Sequence, residues 1–135
     1  MAGAAAARYA AAMSAPLSLK TKLSTPLFVQ TRDWYCDLFG LEVMEEWDQP
    51  ADRGCILGFA GKPGDALLEI YQCDAPQSFD GLSLQFRVYD VDAFVVPKEE
   101  RFTSRGPVNR PWGSKYLFLS DPNGVSVVVF SGTSL

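Results

Sequence analysis

The chain has 135 residues, with 12 Lys and Arg against 16 Asp and Glu for a formal net charge of −4, and its sequence pI is near 4.7. That length predicts one domain able to bury a core without disulfide or metal staples, and the acidic balance excludes the basic footprint of a nucleic-acid binder. Histidine is absent, which removes the commonest general base at neutral pH, the commonest metal ligand and every Ser-His or Cys-His nucleophile.

No apolar run approaches the roughly 20 residues of a membrane span. Cys36, Cys55 and Cys73 form neither a CxxC pair nor an even framework, so the expectation is a reduced, cytoplasmic setting. Residues 1–16 are read as an Ala-rich N-terminal extension. Alanine favours helix, but "MAGAAAARYAAAM" shows no periodicity that would dock it. Met13 offers an alternative start; a secretory signal is the rival reading, disfavoured by a single arginine and the lack of a leucine-rich centre.

From Leu17 the chain becomes regular. "LSLKTKLS" alternates, placing Leu17, Leu19 and Leu23 on one face and Ser18, Lys20 and Lys22 on the other, as a half-buried strand does. Thr25 and Pro26 then suit the cap and first turn of a helix over "PLFVQTRDWYCDLFG", with Leu27, Trp34 and Leu38 on one face and Gly40 ending it. Three strands are predicted next, "LEVMEEW", "GCILGFA" and "ALLEIYQ", the last two joined by a hairpin turn at "GKPGD".

The order then repeats. "LSLQFRVY" is an alternating strand with Leu82, Leu84, Phe86 and Val88 on one face, and "DVDAFVV" predicts a second helix opened by Asp90 or Asp92 and cut short by Pro97. "GPVNRPWG", "KYLFLS" and "VSVVVF" read as three closing strands. Strand-helix-strand-strand-strand, twice over, is an internal repeat of about sixty residues, the mark of a duplicated module. The expectation is a single α+β domain over 17–132, with one module at about 17–73 and the other at about 80–132.

This plan, with "DWYCDLFGLEV", "LSLQFRVYDVDAF" and "PWGSKYLFLSDPNG" in that order, resembles the vicinal oxygen chelate superfamily of glyoxalases, extradiol dioxygenases and bleomycin-resistance proteins. The Pro-Trp-Gly followed by Asp-Pro-Asn-Gly is similar to the bleomycin-resistance branch. The resemblance implies two βαβββ modules curved into a half-open barrel around one cavity, and a homodimer. It also implies four metal-ligand positions, on strands one, four, five and eight, which fall here on Lys20, Glu69, Ser83 and Val128. Only Glu69 suits a metal, since an ammonium repels cations, a hydroxyl ligates poorly and valine not at all. No metal and no cofactor are therefore expected.

The face that would hold the metal instead carries Lys20 and Lys22, Glu69 and Tyr71, and Ser83, Gln85 and Arg87. These residues, with Trp112 of "RPWGS", are the candidate ligand-binding set; the alternative is an open, wet sheet surface. Trp47 is expected to anchor a loop, Trp34 and Tyr35 to lie in the core, and Glu45 and Glu46 to form a solvated edge. Inward-facing Lys20, Lys22 and Arg87 would favour a planar, anionic small molecule. Three functions compete: a metal-independent small-molecule binder of sequestering or resistance type, a glyoxalase- or dioxygenase-like enzyme with Glu69 as its base, and a structural or partner module.

Overall fold

The computed structural model describes residues 2–133 and 135. Helix α1 (Ala2–Ser14) leads into two four-stranded sheets. The first contains β1 (Leu19–Thr25), β2 (Glu42–Gln49), β3 (Asp52–Phe59) and β4 (Lys62–Gln72), in the order β1-β4-β3-β2. The second contains β5 (Ser83–Arg87), β6 (Ser104–Asn109), β7 (Ser114–Ser120) and β8 (Ser126–Gly132), in the order β5-β8-β7-β6. In each sheet the first strand pairs in parallel with the fourth, and the remaining pairs are antiparallel. The same topology twice over bears out the duplicated plan. The sheets do not close on each other, which leaves the half-open form. No helix among the described residues is long and apolar enough to cross a membrane.

Helix α2 (Phe28–Phe39) links the first two strands and ends at Gly40, whose positive φ of 64° suits a residue without Cβ. It starts later than the sequence suggests. Thr25 stays in β1, fully buried, and its hydroxyl accepts the Leu27 N–H at 2.8 Å, so the local turn takes the place of a side-chain cap. The hairpin between β3 and β4 also differs: the turn is Ala60–Gly61, and Lys62 already belongs to β4, so most of "GKPGD" is strand. A two-residue turn ending in glycine supplies the positive φ such hairpins need, here 78°.

The second helix does not form. Asp90 does cap, its carboxylate accepting the Asp92 N–H at 3.0 Å, but the cap opens only a single tight turn at Val91–Ala93 before Phe94 becomes extended. Two β-branched valines followed by Pro97 bias this stretch away from helix. A second short turn at Glu100–Phe102 follows.

One core serves both sheets. Leu23, Cys55, Leu57, Leu68 and Ile70 from the first and Leu117, Leu119, Val127 and Val129 from the second join Trp34, Tyr35 and Leu38 of α2. Phe86 of β5 stacks on Phe39 at 3.9 Å and meets Phe59 of β3 edge-on at 6.3 Å. Of the three leucines expected on the buried face of the first strand, only Leu23 is buried; Leu17, which precedes β1, and Leu19 at its start are exposed.

The turn "DPNG" ties the two modules together. The Tyr35 hydroxyl donates to Asp121 Oδ2 at 2.8 Å in the core, and Asp121 Oδ1 accepts from the Asn123 and Val125 backbone N–H groups at 2.7 and 3.0 Å. Asn123 in turn donates to Thr31 Oγ1 at 3.0 Å and accepts from the Thr25 hydroxyl. Burial first, and the Asp121 charge second, push the Tyr35 phenol far above its ordinary range, so it serves only as a donor. Asp121→Ala would strand the Tyr35 hydroxyl and two backbone donors, and should cost about 2–4 kcal/mol. Tyr35→Phe, which removes only the donor, should cost about 1–2 kcal/mol. Urea unfolding followed by fluorescence checks both.

Candidate functional site

Strand periodicity decides what lies opposite the core. Because both sheets turn one face into a common core, their other faces look outward, and those faces carry the sequence-derived candidates. On the first sheet the outward row runs Lys22, Glu69, Ile56 across β1, β4 and β3, with Lys20, Leu67 and Tyr71 beside it. On the second it runs Gln85, Val128, Phe118, Arg105 and, one step along, Arg87, Phe130, Tyr116, Val108.

On the first sheet, Glu69 is 7% exposed and lies between two ammonium groups. Lys20 Nζ is 3.1 Å from Glu69 Oε1 and Lys22 Nζ is 3.8 Å from Oε2. Lys22 also lies 4.2 Å from the centre of the Tyr71 ring. Tyr71 and Trp47 both donate to Asp52 Oδ1, each at 3.0 Å. Hydrogen bonding to Asp52 raises the Tyr71 phenol above its ordinary value. Trp47 stands in β2 rather than in a loop, and its indole lies over Gly54, where an added Cβ would come within 2.5 Å of the ring. Sequence reading missed Asp52, since a lone acid beside a turn carries no signal until Trp47 and Tyr71 converge on it.

On the second sheet, Ser83, Gln85 and Arg87 are exposed along β5, with Gln85 and Ser83 in marginal contact at 3.5 Å. Val128 is 3% exposed, enclosed by its neighbours on that face. Trp112, nearly half exposed, meets Tyr116 at 5.9 Å, and Tyr116 meets Phe118 and Phe130 at 6.0 and 5.7 Å. The result is an aromatic floor. Within the chain Lys20, Lys22, Glu69 and Tyr71 come together, whereas Ser83, Gln85, Arg87 and Trp112 lie on the other sheet. Among the described residues no hydrogen bond, ion pair or ring contact joins the two groups.

The four positions at which the fold family implies a metal do not fit one. Lys20 is ion-paired to Glu69, the single carboxylate of the set, and Val128 offers no donor atom. Nor do three His, Cys, Asp or Glu side chains converge anywhere among the described residues. The cysteines suit nucleophilic chemistry no better: burial pushes the Cys55 thiol up to about 11, and burial and then Asp33 raise Cys36. An apolar cleft of about 170 Å³ opens between Leu57, Phe59 and Leu68 of one sheet and Leu84 and Phe86 of the other. It is small beside the roughly 300 Å³ and more of ordinary ligand sites, so the outward faces are the stronger candidates.

Two sheets of this topology, packed through one core, define a paired-module α+β domain. The chain belongs to the Glyoxalase/Bleomycin resistance protein/Dioxygenase superfamily, whose model matches residues 23–129. No curated protein matches it. Among solved structures it is similar to TnmS3, an antibiotic binding protein from Streptomyces sp. CB03234, at 24% identity and a TM-score of 0.66, over 88% of this chain and 99% of that one. It is also similar to the fosfomycin resistance protein FosX from Listeria monocytogenes, at 15% identity and a TM-score of 0.65, over 85% and 92% of the two chains. A glyoxalase family protein from Enterococcus faecalis matches at 24% identity and a TM-score of 0.60, over 87% and 97%. At these identities the likeness is one of fold.

Titration with nickel, zinc, iron and manganese should give no stoichiometric binding through Glu69. Calorimetry on protein purified without chelator reads the result, and a one-to-one metal complex lost in Glu69→Gln would overturn it.

Proposed function

We propose that this protein is a metal-independent binder of small molecules, of sequestering or resistance type, working as a cytoplasmic homodimer. The observation that carries this reading is the chemistry of the outward faces. Where metal ligands would stand there is an ion pair, a serine and a buried valine, and around them lie rings and cations suited to stacking and to holding anionic groups. The resemblance in fold to an antibiotic binding protein and a fosfomycin resistance protein supports the same class of ligand. Three free cysteines support the reducing compartment.

The geometry of the faces supports the dimer. Each is a one-sided platform, and a second copy laying its first sheet opposite this chain's second would enclose a cavity between them. Val43, Met44, Val108 and Trp112, on or beside the edge strands β2 and β6, are more than a third exposed, which suits strands that a partner covers. In such a cavity Lys20, Lys22, Glu69 and Tyr71 of one copy would face Ser83, Gln85, Arg87 and Trp112 of the other.

The burial of Glu69 on a ligand-accessible face favours a second reading, an enzyme in which this carboxylate acts as a base. The two lysines that hold it weigh against it, because both carboxylate oxygens already have an ammonium partner.

Light scattering at micromolar concentration should give twice the chain mass of 14.8 kDa. Flat aromatic antibiotics should quench tryptophan fluorescence and be recovered unchanged. Trp112→Ala should weaken their binding by about 0.5–1.5 kcal/mol, and Arg87→Ala that of anionic members by about 1.5–3 kcal/mol. A monomer would remove the shared cavity, and steady conversion abolished by Glu69→Gln would establish the enzyme instead.

A further inference from the structure

The four strands of the second sheet contain no aspartate or glutamate, although the chain carries 16 acids. Three arginines nevertheless border its outward face: Arg87 on β5, Arg105 on β6 and Arg110 in the turn after β6. Elsewhere Arg32, Arg53 and Arg101 are each ion-paired, with Asp33 and Glu46, with Asp48, and with Asp37 and Glu99. Among the described residues, Arg87, Arg105 and Arg110 have no carboxylate partner. Arg105 lies over the Phe118 ring at 4.4 Å, and Arg110 over Trp112 at 4.8 Å and Tyr116 at 5.8 Å. Asp92, which lines the same surface cleft as Arg110, is taken by Lys115 at 2.7 Å. Arg110 Nε is buried with no hydrogen-bond partner. A buried donor without an acceptor is costly in a folded protein, and here it sits at the rim of an aromatic floor.

We infer that Arg105 and Arg110 select the ligand, and that its class is a planar aromatic carrying an ionised oxygen group such as a carboxylate or phenolate. This rests on the small-molecule-binding reading above and names the guest of that same face. The rings against which the two guanidinium groups lie restrict both side chains, so an oxyanion at the edge of a guest can accept from them at little cost in side-chain ordering. Lys20 and Lys22, which the sequence suggested for this task, are already committed to Glu69.

The test uses the full chain and two fluorescent probes with the same ring system, pyrenecarboxylate and the uncharged pyrenemethanol. The wild-type protein should bind the carboxylate about tenfold or more tightly, the strength of one charged hydrogen bond. Arg110→Gln and Arg105→Gln should each lower that ratio towards one while leaving pyrenemethanol affinity within about twofold, and Lys98→Met, at an exposed position outside the strands of both sheets, should leave the ratio intact. Arg110→Lys, which keeps the charge but loses the fork, should give an intermediate ratio. A wild-type ratio near one, or a ratio unmoved by both glutamine variants, overturns the assignment while leaving the binding protein standing. Failure of both probes and of the antibiotic panel to bind would instead remove the binding reading on which it rests.

Discussion

The rest of the structure hangs on the buried hydrogen bond from Tyr35 to Asp121. Tyr35 belongs to α2, and Asp121 opens the turn before the last strand, so one contact spans the two modules. A phenol in an apolar core needs an acceptor, and Asp121, held in place by two backbone N–H groups, presents one. Asn123 strengthens the link through Thr25 and Thr31, which places both modules in a single register. That register sets the direction in which every strand face points.

With the modules joined through their helix-side faces, the polar and aromatic faces have to look outward. A single chain then presents two outward faces, and the edge strands β2 and β6 carry exposed apolar residues. The two faces differ in electrostatic character. The first is internally balanced, two lysines against one buried glutamate. The second carries Arg87, Arg105 and Arg110, which among the described residues have no carboxylate partner, inside a chain that is acidic as a whole. A local field of opposite sign to the net charge arises when acids are kept off one face, and this sheet does so strand by strand.

The loss of the second helix fits the same scheme. Asp90 provides a working cap, yet Val95, Val96 and Pro97 cannot continue the turn, and the segment instead covers the back of the second sheet with Val91, Phe94, Val96 and Phe102. The burial a helix would have supplied comes from an extended stretch with the same apolar residues. Packing, rather than local propensity, settled the conformation.

Much of this was legible in the residues themselves. Period-two alternation marked the strands around Leu23 and Phe86, the repeat of about sixty residues marked the duplication, and the absence of histidine, with Val128 at a position the family resemblance gives to a ligand, set the expectation of no metal centre. These signals are local: each depends on which residues neighbour one another along a strand or on what a side chain can donate. Three things waited for the tertiary structure. The sequence could not show that Lys20 and Lys22 would be consumed by Glu69, that Asp52 would gather Trp47 and Tyr71, or that Arg105 and Arg110 would lie unpaired on aromatic rings. Each depends on the register between strands far apart in the chain, and a shift of one residue would turn every one of these side chains to the other face.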